Sequence, residues 1–104
     1  MIWRTGVRFA FLIMGDFDSN IDKAAIHDGS AQIIGVSDMQ QAMEEARRLE
    51  KEGIGCIELC GAFGEENARR IIEATGNRIP IGHIVHLPEQ DEIYRMAFAA
   101  DKQG

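Results

Sequence analysis

The residues of this 104-residue chain best suited to chemistry gather in one stretch, IGCIELCGAFGEENARRII, residues 54–72. Glu58 stands there between Cys56 and Cys60, and Gly61 and Gly64 lead into a helical pattern. Read as a strand, the segment puts Glu58 on one face with Cys56 and Cys60, and Ile57 and Leu59 on the other. A carboxylate on a covered strand face must be ion-paired, hydrogen-bonded or protonated. Arg8 or a histidine of a later strand can supply the partner, which makes Glu58 architecture. The other reading is functional: Glu58 as a ligand contact or as an acid/base group whose pKa is raised. Cys60 precedes a helix N-terminus, which favours a thiolate, whereas the acids that follow oppose it. His86, near the carboxyl end of its strand, can reach the same region. The candidate catalytic set is therefore Glu58, Cys60 and His86.

Other chemistries fit less well. The turn CGAFGEE resembles a phosphate cradle, with two glycines and free N–H groups at a helix start. It is neither a GxGxxG turn nor a P-loop, and no lysine follows. A phosphate about 5.5 Å from Glu65 or Glu66 would cost roughly 3 kcal/mol per charge pair at an effective dielectric near 20. Asp16, Asp18, Glu58, Glu65 and Glu66 can be imagined as oxygen ligands for Mg²⁺. Asp16 and Asp18 are equally the residues of an ordinary turn, and no metal ligand is assigned. His83 and His86 lie i, i+3 on a strand, point to opposite faces and cannot share a metal. His27 precedes a glycine expected to end a helix, where a cation suits the dipole. Neither a Ser-His-Asp arrangement nor a zinc-type Cys/His spacing is present.

The elements that position these residues alternate strand and helix. Residues 7–14 form a nearly continuous apolar run, as in a strand covered on both faces. A GDFDSN loop and a short helix around residues 21–28 follow, with Ile21, Ala24 and Ala25 on one side and Gly29 at its end. Residues 31–36 are the second strand. Ser37 with Gln40 reads as a capping box for a helix whose inner stripe is Met39, Ala42, Met43, Ala46 and Leu49, closed by Gly53. Glu44 and Arg48 are spaced to pair on its outer side. Residues 54–60 are the third strand. A helix over 65–75 follows, with Ala68, Ile71, Ile72 and Thr75 inward and Gly76 as cap. Residues 80–87 are the fourth strand, with Pro80 at its start. A last helix follows Pro88, with Ile93, Met96, Ala97 and Ala100 on one face.

Four βα units imply a single α/β domain over residues 1–104, with a mainly parallel sheet and right-handed crossovers. The first and third strands look most buried, and Gln32, Pro80, His83 and His86 suit edges. The order 2-1-3-4 satisfies this and gives a truncated, flavodoxin-like sheet; a half-barrel of order 1-2-3-4 is the alternative. In the first order, ligands bind outside the carboxyl ends of strands one and three. The expected ligand-binding residues are Gly15 and Asp16 from one loop, and Gly61, Ala62, Phe63 and Gly64 from the other.

Composition narrows the partners. The chain is 45% hydrophobic and 27% charged, with a net charge of −6. Such an acidic surface repels nucleic-acid phosphates and anionic lipid, and its dispersed aromatics make no base-stacking platform. No segment approaches the ~20 apolar residues of a membrane span. The N-terminal run with Arg4 and Arg8 is too short for a signal h-region and lacks a cleavage site, so a cytoplasmic protein is expected. Cys56 and Cys60 would lie roughly 13 Å apart along one strand, too far to bond to each other.

The segment KEGIGCIELCGAFG, residues 51–64, resembles a short IELCGxFG motif of bacterial and archaeal α/β proteins about a hundred residues long and of unassigned function. Gly35, Val36, Ala42, Ala46, Leu49 and the IPIG at residues 79–82 also fit. The resemblance implies a stand-alone βα domain and brings no activity or cofactor. Two functions remain open. One is a small-molecule ligand bound at the crevice, with Glu58 as acid or base where a reaction occurs. The other is a non-catalytic interaction or scaffold module, a homo-oligomer and in particular a dimer. Met96 and Phe98 of the last helix favour the latter, because Phe98 falls off the inward stripe.

Overall fold

The computed structural model describes residues 6–103; Arg4 and the side chain of Ala100 lie outside what is described. Phe9–Met14 (β1) is the central strand of a five-stranded sheet. The others are Lys23–Ile26 (β2), Ala31–Val36 (β3), Cys56–Leu59 (β4) and Ile81–His83 (β5), in the order β2-β3-β1-β4-β5. β1 is parallel to β3 and β4, β5 is parallel to β4, and β2 is antiparallel to β3. The helices are Met39–Lys51 (α1), Gly64–Ala74 (α2) and Asp91–Gln103 (α3).

The core lies between one sheet face and the helices α1 and α2. Ala10 and Leu12 of β1, Ile34 and Val36 of β3, and Ile57 and Leu59 of β4 are fully buried there. They meet Ala42, Ala46 and Leu49 of α1 and Ala68 and Ile71 of α2. Each fully buried Leu or Ile contributes about 1.5–3 kcal/mol. Register puts Ile34, Leu12 and Leu59 in one row across the sheet. The neighbouring row, Ala24, Ile33, Phe11, Glu58 and Gly82, must face the other way. Among the described residues no comparable layer covers that side: Phe11 is 38% and Ile33 42% exposed. The apolar run of β1 therefore does not mean burial on both faces, contrary to expectation.

Sheet composition is the main correction to the fold. Residues 21–28 were expected to be helical, and the sheet four-stranded and mainly parallel. Instead β2 pairs with β3, from Lys23 opposite Ile34 to Ile26 opposite Ala31, and a 3-10 turn at His27–Gly29 leads on. A segment this short has no autonomous helical stability, and the free edge of β3 supplies backbone partners. His27 and Asp28 take positive φ, 48° and 55°, before Gly29 at 84°, so no helix dipole acts on His27. The other four strands keep the 2-1-3-4 order, but β3 is covered by β2 and is not an edge. The sheet is open, which removes the half-barrel of order 1-2-3-4.

Smaller differences have local causes. The α1 cap is Asp38, whose carboxylate accepts the Gln41 N–H at 2.9 Å. Gln41 Oε1 in turn accepts the Ser37 N–H at 3.0 Å, a box shifted one residue from the Ser37/Gln40 reading. Arg48 pairs with Glu45 and Glu52, and Glu44 accepts from Gln40 Nε2 instead. β5 ends at His83, so most of residues 80–87 is irregular chain. Arg78 clamps Glu50 across the α1–α2 layer through both nitrogens, and this pairing holds the Glu50 carboxyl below its ordinary range. No helix among the described residues is long and apolar enough to cross a membrane.

Candidate functional site

Glu58 stands in the uncovered row, between Phe11 on β1 and Gly82 on β5. It is half-buried. The Cys56 thiol, two residues back on the same face, donates to Glu58 Oε2 at 3.4 Å. Among the described residues no cationic side chain pairs with Glu58. Arg8, one expected partner, donates through Nε to the Gly29 carbonyl at 3.3 Å. A Cβ on Gly82 would collide with Glu58 Oε1, so the carboxylate lies across β5 in the space that Gly82 leaves free. Desolvation, followed by the hydrogen bond and the charge of Glu58, pushes the Cys56 thiol up from its ordinary range. A thiolate there would face a carboxylate in partly desolvated surroundings.

The three candidate catalytic residues are not brought together. Cys60 packs against the core beneath the helices, and its sulfur accepts the Met14 N–H at 3.4 Å. β4 has already ended at Leu59, so strict alternation no longer sets where Cys60 points. The His86 ring is committed to the start of α3: Nε2 lies 2.7 Å from Asp91 Oδ1, and the ring stacks on Tyr94 at 3.9 Å and 11°. His83 is on the helix side in the Leu59 row, with its Nδ1 buried and without a partner among the described residues.

The two expected binding loops leave adjacent strands, but their bonds run in opposite directions. Gly15 N–H donates to Val36 O at 2.9 Å, and the Phe17 ring lies over Gly35, which ties the 15–18 loop to β3. Asp18 makes the turn, accepting Asn20 N–H at 2.9 Å and donating its own N–H to Asp22 Oδ2 at 2.7 Å. Asp16 is exposed. The 60–64 loop leans toward β5: Ile84 N–H donates to Leu59 O, and the Gly61 α-carbon faces the Ile84 carbonyl. Gly61 and Ala62 are exposed, Gly64 is half-buried at φ 73°, and Phe63 is a core residue, 3% exposed. Glu65 and Glu66 both pair with Arg69 along α2. Asp16, Asp18, Glu58, Glu65 and Glu66 do not converge; among the described residues no group of three His, Cys, Asp or Glu is arranged to hold a metal. A groove of about 230 Å³ on the helix layer is lined by Met43, Arg47, Arg70, Glu73 and Ala74, none of them in the expected crevice.

The sequence reading missed the apolar surroundings of Glu58: Phe9, Phe11 and Ile33, with Phe17 folded over Gly35. Gly82 was read only as part of IPIG. The available signal was the pairing of a charged residue and a glycine on strands otherwise apolar, which marks a face where packing is incomplete. The arrangement is a flat apolar floor carrying one carboxylate held by one thiol. Chemically it offers a carboxylate whose one side-chain hydrogen bond comes from the Cys56 thiol.

No match is found among curated proteins or among solved structures. A family model matches residues 7–99, nearly the whole described chain, and the chain accordingly belongs to a family of unknown function, DUF6506.

Proposed function

We propose that this protein binds a small ligand on the open sheet face, over the seam between β1 and β4. The observation that carries the reading is Glu58, a carboxylate without a cationic partner among the described residues, in the middle row of an apolar and uncovered surface. Holding a carboxylate there is unfavourable unless something repays its desolvation. A ligand with a flat apolar body and an amine or hydroxyl would do so, its body on Phe11 and its polar group on Glu58 Oε1. Gly15 and Asp16 on one side and Gly61 and Ala62 on the other form the rim at the carboxyl ends of the strands, and Gly64 starts the helix behind it. Phe63 supports this rim from within the core. Cys60 and His86 have other partners, so the reading assigns binding and no catalytic step.

The test is a thermal-unfolding screen of wild type and Glu58→Gln against aromatic amines, phenols, carboxylic acids, nucleotides and divalent cations. A ligand that binds only the native state stabilises it by mass action, by about 2.7 kcal/mol at a hundredfold excess over Kd, and so raises Tm. An amine or phenol that stabilises wild type and not Glu58→Gln supports the site. Stabilisation of both proteins alike, or by none of these compounds, removes Glu58 from any binding role.

A further inference from the structure

The open sheet face is not the only unpartnered apolar surface. α3 packs chiefly on the 3-10 turn Pro88–Gln90 that leads into it. Ile93 is 62%, Met96 59% and Phe98 56% exposed. Its direction is set at its root, where His86 bonds Asp91 and stacks on Tyr94, and Tyr94 stacks on Phe98 at 5.8 Å. The helix is thereby held away from its own sheet, and the radius of gyration, 14.7 Å, exceeds the ~13 Å usual for this length.

Among the described residues, one chain thus carries an apolar sheet face with no helix on it and an amphipathic helix with no sheet beneath it. We propose that a second copy of this chain supplies the cover: α3 of each copy lies on the open sheet face of the other, around a twofold axis. Reciprocity follows from the symmetry, since whatever α3 of one copy touches is touched in return. The area agrees. On the sheet, Phe9, Phe11, Ile26 and Ile33 remain 38–69% exposed. At roughly 200 Å² for a large apolar side chain, these four with Ile93 and Met96, which share one side of α3, leave roughly 600 Å² of apolar surface per copy. A standard interface takes about 800 Å² per partner, of which a little over half is apolar. Sheet-on-sheet pairing would bury the floor and leave both helices bare; helix-on-sheet pairing removes both surfaces at once. The dimer stands on the apolar surfaces alone and survives a failure of the ligand reading, since a ligand seated on Phe11 competes with the incoming helix.

The experiment is solution mass by sedimentation equilibrium on the full chain, with Ile33→Lys on the sheet and Met96→Glu on α3. Both positions are exposed, so each variant is expected to keep the wild-type circular dichroism. Wild type is expected at twice the 11.6 kDa chain mass, and each variant alone at the single-chain mass. An equimolar mixture of the two variants should return to the dimer mass, because one helix–sheet junction is then native and the other joins opposite charges. A wild type that stays monomeric well above micromolar concentration overturns the proposal. So does a dimer that survives Met96→Glu, or a mixture that stays monomeric. Mass reports the dimer and the thermal screen reports the ligand, so either can fail without the other.

Discussion

Glu58 of β4 and Gly82 of β5 are register partners, and the carboxylate of the first fills the space that a side chain on the second would need. The floor of the proposed site is thus built from one charged residue and one absent side chain on neighbouring strands. Gly82→Ala is expected to expel the carboxylate and break its bond to the Cys56 thiol. The gain from a stiffer unfolded chain, about 0.4–1 kcal/mol, opposes the lost hydrogen bond of similar size, so stability should stay within about 1 kcal/mol of wild type. The diagnostic is the thiol. Freed from its carboxylate, Cys56 should alkylate faster, which mass spectrometry of iodoacetamide-treated protein would reveal.

Cys56 also makes stability depend on alkaline pH. Its folded pKa is raised above the unfolded value by burial and by Glu58. The protonated thiol is the form the fold accepts, so its contribution is whole below the ordinary thiol pKa of about 8.5 and is lost as pH rises through the folded value. Urea denaturation from neutral pH upward should show stability falling above that point. In Cys56→Ser, whose hydroxyl does not titrate there, this part of the fall should vanish.

Adjacent residues of β1 test the two faces. Leu12 is fully buried beneath the helices, and Phe11 is on the open face. Leu12→Ala should cost about 3 kcal/mol. Phe11→Ala should cost less than half of that in dilute protein, despite removing the larger side chain. Equal losses in chemical denaturation would show that the Phe11 face is covered within a single chain.

At the start of α1, Asp38→Ala should cost about 1 kcal/mol by releasing the Gln41 N–H, whereas Ser37→Ala should stay within about 0.5 kcal/mol. A larger loss from Ser37→Ala would restore the cap to the position first read from the sequence.

Much of the architecture was legible without coordinates because it rests on local patterns. The β-rich runs that became β1, β3 and β4, the 3.6-residue stripes Ala42–Ala46–Leu49 and Ala68–Ile71, and the connections long enough for parallel crossovers all imply α/β packing. They imply it whatever lies around them. The place of Glu58 on the strand next to β1 followed from the same order, whereas its register beside Phe11 did not. Tertiary structure decided the rest. Lys23–Ile26 is too short to have a preference of its own and became a strand because β3 had a free edge. Phe9 and Phe11 are apolar on a face that no helix among the described residues covers, since an apolar run records what a surface avoids and not what lies against it. Cys60, one residue past the end of β4, turned to the core when strand alternation stopped. His86 was drawn away by Asp91 and Tyr94, partners fixed only once the chain after β5 had turned. Glu58 took a thiol rather than an arginine, because Cys56 lies two positions before it on the same face while Arg8 donates to the Gly29 carbonyl.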